Sequence, residues 1–434
     1  MCLIYASAAH AGKGLALIRD AEIESLLKDY ERPLLNAADI APDSVRIFII
    51  NDRDINAFVA GGTNIFLHTG VILASETPEM LIGVMAHETG HIAGGHLARG
   101  TEALQNAHIE TILSVIAGGI AAASGAGAAG GAIMSAGTHL TQRQMLAYSR
   151  GNEEAADQAA IGYLKASDVS PRGLLDMYEV LRTQETLRLG GINRYLMTHP
   201  LSRERIAHIR GVIEESKTLS NTTITESLKA RHARMLAKLR GFLDRPRETL
   251  ERYPARDKTL PARYARAIAY YRQPDLPKAR AEIDGLIAEY PADGYFHELK
   301  GQILFEHGRV QESIASYRKA RELLPGAPLI RLGLATALLA TEESSHLAEA
   351  VKELEKTTAL DSTLPDAFRQ LAVAYGRKGD TGRTHLALAE EMLLIGERKE
   401  AKRQSEMAEK ILPPGSPSAL RARDVKEIAG RELP

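Results

Sequence analysis

The chain has no tryptophan, and a single cysteine stands among its 434 residues. That one thiol, Cys2, excludes an internal disulfide and any site built on several thiolates. A bound metal would therefore have to be held by histidine and carboxylate. Net charge is nearly absent too: 54 basic and 55 acidic residues leave −1, so there is no basic excess of the kind that holds nucleic acid. Residues 111–142 lack Asp, Glu, Lys and Arg altogether. This stretch is longer than the roughly 20 residues that span a bilayer. Gly and Ala dominate its middle, however, and insert weakly. We expect a close-packed helical hairpin or loop that touches a membrane surface or covers a site, not a transmembrane hairpin.

What is present points to a helical protein of two or three domains. The chain is 44% hydrophobic and 25% charged, and Ala and Leu outnumber the few aromatics. Residues 1–11 read as the back half of a signal peptide, with an apolar run before the small-x-small pattern Ala9-His10-Ala11. Export to the periplasm is the expectation, and a mature chain without Cys2 suits an oxidising compartment.

Taken in order, residues 15–35 carry apolar residues at helical spacing. Residues 45–50, 55–60 and 65–68 read as strands, separated by Gly61-Gly62-Thr63-Asn64 and joined as hairpins into a small sheet. His68 reads as a strand residue with a structural hydrogen bond. Thr77-Pro78-Glu79 is a helix start, with a capping hydroxyl and proline in the first turn. Helical pattern resumes near Tyr148 and again over 172–189, and a loop around His199 precedes a basic helix. The polar, aperiodic residues 217–223 form a linker between a domain over 12–216 and a second over 224–434. Within the second, Tyr270, Ala279 and Pro291 recur 34 positions later as Leu304, Ser313 and Pro325, the period of a tetratricopeptide unit. A third unit holds Ala335, Leu338, Ala350 and Leu354, with about three inserted residues near 342–346. The fold class expected is α+β, mostly α: a zincin-like domain with a small sheet, then an all-α repeat solenoid with a concave binding surface.

The chemistry centres on His87-Glu88-Thr89-Gly90-His91, an H-E-x-x-H motif. Histidines four apart on a helix lie about 40° from one another around the axis, so both imidazoles face one point. They supply two metal ligands, and Glu88 is placed to act as a general base. Three readings compete for the third ligand. One pattern needs a histidine six residues after His91, where Leu97 stands. His96 is one short of that position and on a continuous helix would point about 140° away from His91. A second pattern takes Glu153, with Asp157 one turn on to fix a ligand histidine's tautomer. The third takes Glu154, which has Gln158 where an acidic partner would be.

His87-Glu88-Thr89-Gly90-His91 followed by Tyr148-Ser149-Arg150-Gly151-Asn152-Glu153-Glu154-Ala155-Ala156-Asp157 resembles metallopeptidase family forty-eight. Asn56-Ala57-Phe58, Gly61-Gly62 and Thr69-Gly70 fit it as well, and the repeats resemble its periplasmic BepA-type branch. The resemblance implies one Zn2+ per chain held by His87, His91 and Glu153, with Asp157 behind a ligand and Glu88 as base. Thr198-His199-Pro200-Leu201 matches a loop whose histidine approaches the zinc, which makes His199 a candidate inhibitory fourth ligand. His199 or Arg150 is also a candidate donor to the oxyanion after a movement. The implied activity is endopeptidase action on misfolded or stalled envelope proteins, with the repeat groove holding clients or the outer-membrane assembly machinery. The rival is a periplasmic chaperone or adaptor whose peptidase activity is latent.

Overall fold

A computed structural model describes residues 16–96, 150–187, 195, 199–215 and 224–431. The expected signal remnant at 1–11, the uncharged stretch 111–142 and the linker 217–223 lie outside the described residues. Backbone contacts divide the chain into two compact units, residues 10–240 and, from Gly241 on, the remainder to Pro434.

In the first unit, strand β1 (Leu17–Ile18) leads into helix α1 (Ala21–Ala37). The sequence pattern alone suggests helix from residue 15. Asp20 instead caps α1, accepting the backbone N–H of Glu22 at 3.0 Å and of Ile23 at 2.9 Å. Leu17 and Ile18 are left to pair with Ile50 and Ile49. Strands β2 (Arg46–Ile50), β3 (Ala57–Ala60) and β4 (Asn64–His68) complete a sheet in the order β1-β2-β4-β3. It is not a run of hairpins. Only β3 and β4 turn directly onto each other, at Gly61 and Gly62, both with positive φ. β4 then lies parallel to β2, from Arg46 opposite Asn64 to Ile50 opposite His68. This leaves β3 at the edge of the sheet among the described strands.

Helices α2 (Thr69–Ala74) and α3 (Pro78–Ala93) follow. Thr77 is the N-cap of α3 by backbone conformation, but its hydroxyl makes no capping bond. From Met80 to His91 every residue of α3 is buried. It is enclosed by the sheet, by α1, and by α4 (Arg150–Ala166) and α5 (Arg172–Leu187). Two glycines set how closely the last two come. A Cβ on Gly90 would lie 2.7 Å from the carbonyl oxygen of Ala156 on α4, and one on Gly83 would lie 2.7 Å from the amide nitrogen of Leu174 on α5. Bare backbone at these points lets α4 bring its acidic face against the two motif histidines.

Helix α6 (Arg203–Glu215) closes the site side, and α7 (Glu226–Leu243) lies mostly in this unit. The sequence pattern alone assigns α7 to the repeat region. Its polar residues hold it to α1: Lys238 pairs with Asp20 at 2.7 Å, Arg234 pairs with Glu22, and Tyr30 hydrogen-bonds His232 at 3.1 Å.

The second unit is a series of antiparallel helix pairs: 260–272 with 276–289, 294–306 with 310–323, 328–339 with 344–360, 365–378 with 381–394, and 398–411 with 417–430. Repeat chemistry explains the close pairs. A Cβ on Gly301 would sit 2.9 Å from the Tyr317 ring, and one on Gly333 would sit 2.8 Å from it. The large ring of one helix thus fills the space left by small residues of its neighbours. The insertion near 342–346 is largely absorbed by a longer helix, 17 residues in Ser344–Leu360 against 14 in Val310–Leu323.

Candidate metal centre

His87 and His91 project from α3, Glu153 comes from α4, and His199 comes from the turn before α6. One ligand atom from each lies within 4.8 Å of all the others, and all four residues are buried. His87 Nε2 is 3.1 Å from His91 Nε2 and 3.4 Å from His199 Nδ1. Glu153 Oε1 is 3.0 Å from His199 Nδ1 and 3.3 Å from His91 Nε2. Ligands about 2.0–2.1 Å from one tetrahedral ion stand about 3.3–3.4 Å apart. Four of the six separations, 3.0–3.4 Å, come close to that spacing, and the other two lie within 4.8 Å. Three imidazole nitrogens and a carboxylate are also donors that zinc accepts. The residues fit the ion.

The outer contacts favour the same use. Asp157 Oδ1 is 2.9 Å from His87 Nδ1. It draws the ring proton to Nδ1 and leaves the Nε2 lone pair facing the cluster. Tyr178 donates its hydroxyl to Asp157 at 2.6 Å. Burial works against the charge on Glu153, yet contacts from His199, His87 and His91 outweigh it and hold this carboxyl far below the usual range. Asp157 is likewise held low against its burial, chiefly by Arg205 and His87.

Glu88 differs from both. Neither of its carboxylate oxygens makes a hydrogen bond, and Oε1 lies 3.6 Å from His199 Nε2. Burial pushes its carboxyl upward, against the pull of His199 and His87. An upward shift makes the carboxylate a stronger base, which is the direction proton transfer requires.

His199 makes two polar contacts here. Nδ1 occupies the fourth corner, while Nε2 donates to the carbonyl of Ala57 on the edge strand β3 at 3.2 Å. Tyr195 stacks on the ring, with centroids 4.7 Å apart. Of the other candidates named from the sequence, Glu154 and Arg150 are exposed and outside the cluster. His68 ends β4, buried, with Nδ1 3.7 Å from Asp52. His96 is also outside the cluster, although its ring does not point away from His91. Helix α3 stops at Ala93, and the chain folds back so that the two Nδ1 atoms are 3.0 Å apart.

Three residues of the site carry no clear mark in the sequence. Arg205 is one; its guanidinium reaches Asp157, Glu153, Tyr178 and the carbonyl of Pro200. Its place in the basic helix just after His199 is the available signal. Tyr178 has none, being an ordinary apolar-face position of α5. Glu31 is the third, on α1 directly behind the motif. Thr89 has one hydroxyl proton and two contacts, Glu31 Oε1 at 2.9 Å and the Met85 carbonyl at 2.8 Å.

Burial pushes the Glu31 carboxyl up to about 8, opposed by Thr89 and reinforced by Glu88. The folded chain therefore binds this proton more tightly than the unfolded chain. Stability should fall as pH rises from the ordinary carboxyl range toward 8, by an amount on the order of a few kcal/mol. Thermal melts of Glu31→Gln from pH 5 to 8.5 should lose that slope and show the larger gain at the alkaline end. A wild-type slope preserved in the variant would show that Glu31 titrates normally.

This α+β unit, with two buried histidines on an H-E-x-x-H helix and a buried glutamate from a second helix, is a metallopeptidase domain. Residues 18–213 match the family model of peptidase family M48, and residues 262–328 match a tetratricopeptide repeat. The chain carries an M48 peptidase domain followed by C-terminal tetratricopeptide repeats. It is 26% identical over 386 residues to the beta-barrel assembly-enhancing protease of Yersinia pestis, covering 87% of this chain and 78% of that protein. The protein of the same name in Escherichia coli (strain K12) is 26% identical over 365 residues, covering 83% and 74%. Metalloprotease LoiP of the same strain is 28% identical over 158 residues, covering 36% of this chain and 58% of that protein.

Proposed function

We propose that this chain is a zinc endopeptidase of the periplasm that cleaves misfolded or stalled outer-membrane proteins and rests in a closed state. The observation that carries the reading is the four-cornered donor set of His87, His91, Glu153 and His199. The substrates and compartment are supported by the relatives called beta-barrel assembly-enhancing proteases. The repeats supply a surface for clients or for an assembly complex.

In this reading His87, His91 and Glu153 hold the ion, and Asp157 orients His87. Zinc held by these residues would supply Lewis-acid chemistry for amide hydrolysis. Glu88 takes the water's proton and passes it to the leaving amine. An extended substrate pairs with the edge strand β3 by strand addition. His199 stands against both requirements, because it fills one corner of the donor set and its Nε2 holds the Ala57 carbonyl. Once it swings out, the corner and the strand edge are released together.

The domain division follows from the same reading: peptidase residues up to about the 217–223 linker, with α7 docked beside them, and repeats beyond. The rival reading, a chaperone or adaptor with latent peptidase activity, is favoured by His199 occupying a corner of the donor set. The two readings separate on His199→Ala, assayed with zinc on an unfolded outer-membrane barrel protein. A closed state favoured by ~1.4 kcal/mol or more implies that this variant cleaves about tenfold faster or better. The cleavage should stop on chelation. Unchanged slow cleavage would argue for the adaptor, and a loss of cleavage would move His199 from gate to oxyanion donor.

A further inference from the structure

We infer that His96 is a positioning residue for the metal: it accepts the Nδ1 proton of His91 and so fixes the tautomer in which His91 can act as a ligand. The inference rests on the proposed zinc reading and goes beyond the three ligands and Asp157.

A histidine that offers Nε2 to a metal must carry its proton on Nδ1, and a buried N–H needs an acceptor. Each imidazole of the donor set has a different one. His87 Nδ1 faces Asp157 at 2.9 Å, and His199, which turns Nδ1 inward, donates from Nε2 to the Ala57 carbonyl. For His91 the facing atom is His96 Nδ1 at 3.0 Å, with ring centroids 5.1 Å apart and planes at 74°. Two nitrogens at that distance share one proton. If it sits on His91, His96 Nδ1 is the acceptor and carries its own proton on Nε2.

The local backbone is built for this contact. Gly95 adopts φ +59° and reverses the chain, and the His96 N–H returns to the His91 carbonyl at 3.2 Å. Gly94 leaves a seat for the ring, since a Cβ there would meet His96 Nε2 at 2.4 Å. The sequence Gly94-Gly95-His96 thus ends α3 and delivers an imidazole acceptor to the second motif histidine in one turn. Unlike Asp157, this acceptor is neutral. It orients His91 without adding negative charge beside Glu153.

The test is zinc affinity of the full chain, read by competition with a chromophoric chelator, so that no peptidase activity is needed. His96→Phe keeps a ring and removes the acceptor; it should weaken zinc binding about 10- to 100-fold. His96→Asn places a carbonyl oxygen near the Nδ1 position and should stay within about threefold of wild type. Unfolding midpoints of the zinc-free proteins should agree among all three, which a purely structural role would not predict. Equal zinc affinity in wild type and His96→Phe would overturn the inference and leave the zinc reading standing. Equal weakening in the Phe and Asn forms would overturn it as well. A wild type that takes no zinc from the chelator would remove both.

Discussion

Glu88→Gln is expected to lower kcat for cleavage of an unfolded polypeptide by about 10²–10⁴-fold, the usual contribution of a positioned general base. The amide is nearly isosteric with the carboxylate, so the buried space is filled and the donor set is undisturbed. What disappears is the basic lone pair. Glu88 is suited to that loss being specific: its carboxylate oxygens make no hydrogen bond, so the substitution breaks none. Neutralising a buried carboxyl that burial already pushes upward should also leave the fold as stable as before or slightly more so. The measurement is best made in the His199→Ala background, where the proposed closed state predicts a higher control rate. Zinc content should be equal with and without the change. A Glu88→Gln form that keeps its zinc and still cleaves at more than a tenth of the control rate would show that the proton is handled elsewhere.

Arg205→Met should be the most destabilising single change in the peptidase unit, by about 3–5 kcal/mol. The guanidinium is buried, with its side chain 3% exposed. It donates to Asp157 Oδ2 at 2.6 Å and Oδ1 at 2.8 Å, to the Tyr178 hydroxyl at 2.6 Å, and to the Pro200 carbonyl at 2.8 Å. Nη1 also lies 2.7 Å from Glu153 Oε2. Methionine fills much of the volume but leaves two buried carboxylates without their cation, and stranded charges cost far more than the pair itself contributes. Arg205→Lys should recover only part of the loss, because one ammonium cannot serve the fork of contacts. Denaturant unfolding in the metal-free and zinc-loaded states gives a second check. A divalent cation beside Glu153 replaces some of the missing positive charge, so the penalty should be larger without metal. A loss below about 1 kcal/mol in both states would mean that Asp157 and Glu153 do not depend on Arg205.

The contact with Pro200 bears on function as well as stability. One arginine binds the carboxylates behind the donor set and the backbone immediately after His199. The loop that carries His199 and the carboxylates of the site are therefore held by the same side chain.

The range of each interaction decides how much of the site is legible in the amino-acid sequence. His87, Glu88 and His91 belong to one helix, and a period of 3.6 is enough to put the two imidazoles on one face. The Glu153 and Asp157 pair is legible for the same reason. The repeats declare themselves through a 34-residue period, because each unit meets its neighbour through the same small and large residues, as Gly301 and Tyr317 do. His199 is reached only through family resemblance, since nothing in local spacing connects it to residues about a hundred positions away.

Local rules fail where the chain changes direction. A continuous helix would carry His96 away from His91, but the left-handed Gly95 ends the helix and brings the ring back. The three strands are legible, but their order is not. β4 pairs with β2 as well as with β3, which leaves β3 as the edge that His199 holds. Glu31 and Arg205 read as ordinary helix charges, and only enclosure by other elements makes one an uncharged acid and the other a buried clamp. The sequence by itself therefore determined which candidate residues share a helical face: His87 with His91, and Glu153 with Asp157. The tertiary structure alone decided what meets across elements: His199 beside the other three donors, its contact with β3, and the outer partners. Periodicity constrains neighbours within a turn or two, whereas contacts between distant segments depend on how closely backbones pack, here at Gly83 and Gly90.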